Sequence, residues 1–449
     1  MDHVVKIKKG LDIQLEGIPS PKTSNTPDSQ LYAIIPDDFV GLTPKVIVKP
    51  GEKVLTGSPV IHDKPHPNIV VASPVSGEIV TIERGERRKV IKITIKPDAS
   101  QQALEFGRFD LENMDSSEIK DLLLKSGIFA FIKQRPYDIV ANPDTAPRDI
   151  FVTAFDSAPL APDYAFILKE EKQHFETGLK ALNKLTSGKV YVGISQRQPI
   201  DVKNATSVIF DGPHPAGNVG IQINHIAPID KGDTVWTMSA LDVLFIGRLF
   251  DKGIADFSRI VAVTGSEIDD PHYVRTRIGA SIASITQGMV KAVEYEQRYI
   301  SGNVLTGVKT DADGYIGATH SQITVIPEGN NYDEFLGWAS LNPHKYSTSH
   351  SYFSWLLGKK KKYTIDARIR GGERPIIMSD EYDRVFPMDI YPEYLIKAIL
   401  AFDIDKMENL GIYEVAPEDF ALCEFVDTSK LELQKIVRDG LDRLMKEMN

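Results

Sequence analysis

Cysteine is nearly absent: the 449 residues contain one, Cys423. A lone thiol excludes a disulfide framework within the chain. It also excludes an iron–sulfur cluster held by this chain alone, which needs about four thiolates. No apolar run approaches the ~20 residues of a membrane span, and Asp2, Lys6, Lys8 and Lys9 interrupt any secretory pattern at the start. A soluble, cytoplasmic protein is expected, reaching a membrane only through a partner. Positive charge is also in short supply. Lys and Arg number 52 against 62 Asp and Glu, a net charge of −10, which argues against nucleic acid as a partner. Phosphate-binding glycine loops are missing too, since the chain has neither Gly-x-Gly-x-x-Gly nor a Walker sequence. The nearest candidate, Gly217-Asn218-Val219-Gly220, is one glycine short and lacks a fingerprint's context, whereas a pyrophosphate needs close backbone approach at a helix N-terminus.

What is present belongs to ordinary globular protein, 42% hydrophobic and 25% charged, with length for about three domains. From Lys49 to Ile95, short β-rich runs are punctuated by Pro50-Gly51, Gly57, Pro65, Pro67 and Ser76-Gly77. That is the pattern of a small all-β unit with tight turns. Before it, Val4 to Ile13 alternates like an edge strand, and Pro19 to Gln30 reads as a loop. From Leu111 the texture changes. A capped helix is expected over Ser116 to Leu124. Strands are expected at Asp149–Ala154, Lys189–Gly193 and Ala205–Phe210, with helices over Glu170–Leu185 and from Ser239 to Lys252. Such alternation predicts βαβ units and a mostly parallel sheet. From Arg259 the order is a strand pair (Ile260–Gly265, Tyr273–Gly279), a short helix (Ser281–Val290) and a second pair (Val304–Val308, Ile323–Ile326), which is β-grasp-like. Asp311-Ala312-Asp313-Gly314 has Lys309 and His320 where a calcium loop needs its first and last ligands, so it reads as a turn. Glu328 to Arg374 is polar and loop-rich, with the run Lys359 to Lys362 read as a solvated loop; the alternative is contact with an acidic membrane surface or partner. The last part is helical, with Leu395, Ile396, Ile399 and Leu400 on one face and Leu431–Met448 as a final amphipathic helix.

The stretch around Val70-Val71-Ala72-Ser73-Pro74-Val75-Ser76-Gly77 resembles the lipoyl/biotinyl barrel-sandwich family, in which a hairpin lysine takes the cofactor. Lys64, after Asp63, holds that position here. Pro65 and Pro67 remove donors from the turn that a ligase reads, so Lys64 is expected to stay unmodified. His62 and His66 sit in this hairpin with no third ligand in sight, and His214 between two prolines reads as a loop residue. Cys423 is expected to be a buried structural thiol.

Over nearly its whole length the chain resembles the A-subunit family of the bacterial Na⁺-translocating NADH:quinone oxidoreductase. The residues that carry this are Ile7-Lys8-Lys9-Gly10-Leu11-Asp12, Lys49-Pro50-Gly51-Glu52, Ser73–Gly77, Arg277-Ile278-Gly279, Tyr382–Ile390 and Ala416–Cys423. The resemblance implies a multidomain α/β and α+β fold. Its parts are a lipoyl/biotinyl-like barrel-sandwich hybrid domain (1–100), a Rossmann-like α/β domain (101–255), a β-grasp, SLBB-like domain (256–332), a loop-rich connection (333–375) and a C-terminal helical domain (376–449). It implies a peripheral subunit on the cytoplasmic side of the bacterial inner membrane, partnered by the membrane and flavin-carrying B, C, D, E and F subunits. Related proteins, the C subunit of the Rnf complex and the NADH/FMN subunit of complex I, use a loop of the form Gly-x-Gly-Gly-x-Gly-Phe-Pro for flavin. Here Gly127-Ile128-Phe129-Ala130-Phe131 stands in its place. The expectation is therefore no redox cofactor on this chain, with flavins and the iron–sulfur cluster on partner subunits and ubiquinone or menaquinone as a possible ligand. Phe129, Phe131 and Tyr137 are the quinone-binding candidates; no catalytic residue and no metal ligand is assigned. The alternative is a flavin- or NADH-binding electron-transfer subunit like those relatives.

Overall fold

The computed structural model describes residues 4–25, 28–330, 345–348, 352–358 and 360–448. Two small sheets face each other in the barrel sandwich. One has the strand order Tyr32–Ile34, Val90–Pro97, Gly77–Arg84, Lys53–Val54, and the other Pro44–Val46, Pro59–Asp63, Val70–Ala72. Ile79, Ile93 and Ile95 alternate inward and are fully buried, as a pleated strand with one dry face requires.

The α/β domain has a seven-stranded sheet. Its order is Val4–Lys6, Thr206–Asp211, Val190–Ser195, Ile150–Thr153, Val235–Ser239, Lys133–Arg135, Ile139–Val140. The first five strands are parallel and the last two antiparallel. The three expected strands of this domain stand side by side at its centre. The opening edge strand exists, but its partner is Thr206–Asp211, so the chain begins in the α/β sheet. Helix Ser116–Ser126 is capped by Asp115 and Glu118 in a reciprocal capping box; the cap lies one residue earlier than Ser116. The helix expected from Glu170 is two helices, Tyr164–Glu170 and Lys172–Asn183, joined at Glu171. The second crosses Ala240–Lys252, whose N-cap is Ser239 as expected.

The β-grasp sheet has the order Val308–Thr310, Gln297–Ser301, Gln322–Pro327, Ser258–Thr264, His272–Arg277, Ser20–Asn25. Two expectations are corrected here. Ser20–Asn25 is not loop but a strand parallel to His272–Arg277. It is an outer strand held by backbone pairing and by Ser20 and Ser24, so it carries no apolar alternation to read. Val304–Gly307 is a turn, organised by Asn303, whose side chain accepts the Leu305 and Thr306 amides at 2.8 and 2.9 Å. The strand lies earlier, in the polar sequence Gln297–Ser301. Asp311–Gly314 is the turn expected of it, closed by the Gly314 amide on the Asp311 carbonyl.

The C-terminal residues form helices Glu381–Val385, Pro392–Ala401, Ile404–Asn409, Ala421–Val426 and Leu433–Met448. Leu395, Ile396 and Ile399 are buried as expected, but Leu400 is exposed, because it lies one position beyond the narrow inward stripe.

Helices Lys172–Asn183 and Ala240–Lys252 touch backbone to backbone. A Cβ on Gly247 would stand 1.7 Å from the His174 carbonyl oxygen, and one on Gly178 would stand 2.5 Å from the Val243 carbonyl oxygen. Neither neighbour is a flexible side-chain end. In an open helix interior, Gly→Ala stabilises by about 1 kcal/mol. Gly247→Ala is expected to do the reverse and destabilise by about 1–3 kcal/mol through overpacking, measured as a lower urea midpoint.

Candidate functional site at the carboxyl edge of the parallel sheet

In a doubly wound sheet, ligands bind in the crevice outside the carboxyl ends of the strands. Here those ends deliver Thr153 to Ser157, Gly212 to Asn218, Ser239 and, from the first strand, Gly10 to Asp12. The crevice is filled by the chain itself. The Leu11 amide donates to the His214 carbonyl (2.8 Å) and the His214 amide to Asp12 Oδ1 (2.9 Å). Gly10 presses on this turn so closely that a Cβ would lie 2.2 Å from the His214 oxygen. The Gly10 amide donates to the Arg384 carbonyl of the helical domain (3.0 Å).

The phosphate-loop candidate Gly217–Gly220 has more context than its sequence suggested. It follows strand Thr206–Asp211 and opens helix Val219–Ile226, with Asn218 at the cap. The Asp419 carboxylate packs against the start of this helix. A Cβ on Gly220 would come within 2.5 Å of Asp419 Oδ2. Asn218 Nδ2 donates to the Glu418 carbonyl at 3.1 Å. The carboxylate lies against the first turn without accepting any of its amides among the described residues, and its Oδ1 is buried without a partner; its charge alone favours the helix dipole.

Asp419 is held there by Arg135. The guanidinium, fully buried on the antiparallel strand Lys133–Arg135, donates to Asp419 Oδ2 at 3.0 Å, to Glu418 Oε1 at 3.1 Å and to the Glu414 carbonyl at 3.0 Å. Asp419 also accepts the Ala416 amide at 2.9 Å. Asp138 takes Lys133 at 3.5 Å, and Arg438 donates to the Tyr137 and Asp138 carbonyls at 2.7 and 3.2 Å. Three cations thus meet three carboxylates at the seam with the helical domain. Burial works against the Arg135 charge, but Asp419, Asp138 and Glu418 outweigh it and hold the guanidinium charged. Burial pushes Asp419 upward, with Arg135 pulling back. Enclosure and the Asp419 charge push Glu418 up to about 7; its side chain keeps 39% exposure, and solvent softens that push.

His214 is sealed rather than loop-like. It is 3% exposed, burial lowers its pKa to about 4, and Nδ1 lies 3.0 Å from Ser157 Oγ. Ser157 Oγ accepts the Gly217 amide at 2.8 Å. A serine–histidine contact invites a nucleophile reading. No third group orients the ring, however, and Nε2 is buried without a partner among the described residues, so the pair braces the turn.

The candidates named from sequence fall in three places. Phe129 is fully buried, edge-on to Trp236 at 5.6 Å. Phe131 packs on Phe39 and Phe245 at 5.5 and 5.1 Å. Both belong to the turn Ile128–Phe131, where the sandwich meets the α/β domain; a Cβ on Gly127 would lie 2.6 Å from Ala72 Cβ. A cavity of about 10 Å³ beside Phe131 is lined by Ala33, Ile34, Phe39, Ala72 and Gly279. That is room for about one water. Tyr137 sits apart, half-buried against Tyr413 at 6.4 Å. Lys64 is exposed on its hairpin beside buried Asp63, which accepts the Thr43 and His66 amides at 2.7 and 3.1 Å. His62 turns to the Asp63 carbonyl and His66 to the Asp63 carboxylate. Among the described residues no cluster of His, Cys, Asp or Glu has metal-ligand geometry. Cys423 is fully buried, and burial pushes its thiol up, leaving it unreactive. The residues that sequence reasoning missed are Arg135, Asp138 and Arg438. Each sits in a locally polar stretch with nothing to mark a distant partner.

The fold and the filled crevice define a class: a barrel sandwich, a doubly wound domain closed at its carboxyl edge, a β-grasp module and a helical clamp. Family models sharpen this. Residues 5–98 match the NqrA N-terminal barrel-sandwich hybrid domain, 114–255 the NqrA second alpha/beta domain and 260–312 the NQRA C-terminal domain. Relatives named as the A subunit of the Na(+)-translocating NADH-quinone reductase are 37% identical in Serratia proteamaculans and 35% identical in Yersinia pestis and in Neisseria meningitidis serogroup B. In each, 99% of this chain aligns with 100% of the relative. The chain belongs to the NqrA family, the A subunits of the Na⁺-translocating NADH-quinone reductase. The segments Ile7–Asp12, Tyr382–Ile390 and Ala416–Cys423, which carried the resemblance, converge on the filled crevice.

Two outcomes are expected. Asp419→Ala leaves Arg135 buried without its closest carboxylate and lowers stability by about 3–5 kcal/mol; the double variant Arg135→Met, Asp419→Leu recovers much of this, both read by urea unfolding. His214 has an ordinary pKa of 6.5 and a folded value of about 4. Below pH 6.5 the unfolded chain takes up a proton that the folded chain refuses, so this contribution is complete above 6.5 and lost as the pH falls toward 4. At most ~3 kcal/mol is involved. The stability gap between the wild type and His214→Asn is expected to stay constant above pH 6.5 and shrink below it.

Proposed function

We propose that this chain is a peripheral subunit of a Na⁺-translocating NADH:quinone reductase, coupling NADH oxidation and quinone reduction to sodium export. It stands on the cytoplasmic side, docks on the membrane and flavin-carrying B to F subunits, and carries no redox cofactor of its own. The observation that carries this is the crevice: the Asp419 carboxylate packs against Gly220 at the start of helix Val219–Ile226, and Gly10–Asp12 cover the strand ends. A flavin- or NADH-binding role would need that space. Among the described residues no helix is long and apolar enough to cross a membrane, so contact with membrane subunits runs through surfaces.

A second reading rests on the seam at Phe131. Its cavity is lined by apolar residues of three domains, and a quinone ring needs an apolar, aromatic-lined slot. A ring would enter where Phe131 meets Phe39, with the sandwich and β-grasp domains parted.

Reconstitution separates these readings. The complex assembled without this chain is expected to keep its flavins and cluster but lose quinone reduction, and the purified chain, free of flavin absorbance, is expected to restore it. A chromophore on the purified chain would sink the cofactor-free reading. Saturable ubiquinone quenching of its fluorescence, weakened by Phe131→Leu, would favour the second.

A further inference from the structure

The turn Phe353–Leu357 is displayed at the surface. Leu356 is 63% exposed and Leu357 49%. Gly358 follows in a left-handed conformation, φ +76°, with nothing within 4 Å of where its Cβ would be. Then come Lys360, Lys361 and Lys362, of which Lys360 and Lys362 are exposed and Lys361 half-buried; Lys359 lies outside the described residues. The turn is mounted firmly. The Tyr363 hydroxyl donates to the Ser354 carbonyl at 3.2 Å, and Ser354 is 2% exposed. The Tyr363 backbone bridges Leu15, its amide on Gln14 and its carbonyl on Glu16. Two leucines therefore stand outward on a turn tied to buried Tyr363, with Lys360 and Lys362 following them, in a chain whose net charge is −10.

We propose that this patch contacts an anionic lipid bilayer directly, a contact beyond docking on partner subunits. Leu356 and Leu357 would enter the boundary between headgroups and acyl chains, and Lys360 and Lys362 would lie among the lipid phosphates. The chemistry favours lipid over an acidic protein. Protein interfaces are depleted in Lys, and Leu is under-represented at their energetic centres. A lysine block next to exposed aliphatic side chains matches a surface that attracts point charges and takes apolar side chains without a shaped pocket. The acidic remainder of the chain would orient it, turning this face toward the membrane and the others away.

The test uses the full chain and sedimentation with vesicles of phosphatidylcholine alone or with about one-third phosphatidylglycerol. Binding is expected only with the anionic vesicles and is expected to fall steeply with salt. At about 1 kcal/mol per lysine, Lys360→Ala with Lys362→Ala is expected to weaken it about thirty-fold. Leu356→Ser with Leu357→Ser is expected to weaken it at fixed charge, while Lys446→Ala, on the last helix, leaves it unchanged. Absence of binding to anionic vesicles, or binding indifferent to the Lys360 and Lys362 changes, would overturn the proposal. So would vesicle-independent loss of the lysine variant from the assembled complex, which would assign the patch to a protein partner. None of these outcomes depends on whether the chain carries a cofactor.

Discussion

The structure hangs on one buried guanidinium. Arg135 sits on an antiparallel strand near the edge of the α/β sheet with no exposed surface, and a charge so placed must be matched within hydrogen-bond reach. Its own domain offers the charge of Asp138, but the guanidinium's hydrogen-bond partners lie elsewhere. The carboxylates of Glu418 and Asp419 and the Glu414 carbonyl come from the helical domain, more than 270 residues further along the chain. The helical domain is thus a structural requirement of the α/β domain. Its docking sets Asp419 against helix Val219–Ile226 and Arg384 against Gly10, so the same event that satisfies Arg135 closes the carboxyl edge.

A second constraint comes from the N-terminus. Before the sandwich begins at Tyr32, the chain has paired Val4–Lys6 with the α/β sheet and Ser20–Asn25 with the β-grasp sheet. The segment between them covers the crevice. Buried ion pairs reinforce the same coupling. Arg259 of the β-grasp domain pairs with Asp242 on helix Ala240–Lys252 and lies 5.0 Å over the Phe245 ring. Arg248 of that helix meets Glu171 at 2.9 Å and the Ser258 carbonyl at 2.6 Å. These pairs tie the α/β domain to the β-grasp domain through one helix.

Local sequence carried the elements whose burial is local. Ile150–Thr153, Val190–Ser195 and Thr206–Asp211 announced themselves because β-branched runs mark a doubly covered parallel strand. The capped helices from Ser116 and Ser239 did so through side chains that satisfy backbone amides. What stayed hidden was non-local. Ser20–Asn25 is polar because an outer strand needs only a backbone partner. Val304–Val308 mimicked a strand because Val304 and Leu305 pack under the helical domain, an apolar demand unrelated to any sheet. The filling of the crevice was half legible: the turn Gly217–Gly220, one glycine short of a phosphate loop, showed in sequence, but the occupant, Asp419, did not, since nothing near it points to Arg135.

The crevice is closed by a carboxylate packed against a helix start and by Gly10–Asp12 on the His214 turn. A helix N-terminus presents unpaired amides and roughly half a positive charge, and leaving it empty inside a protein is costly. Asp419 places a negative charge beside Gly220 but accepts no amide of that helix among the described residues, so it answers the dipole and not the amides. The glycine and the strand–turn–helix therefore persist with a side chain packed against them. Opening the site would require withdrawing Asp419 from both the helix and Arg135, leaving a buried cation unmatched, and lifting Gly10–Asp12 from the His214 turn. These steps are linked, because Gly10 also holds Arg384 of the domain that carries Asp419. A chain built this way keeps the outline of a dinucleotide fold, and its carboxyl edge serves as the seam on which its helical domain is fixed.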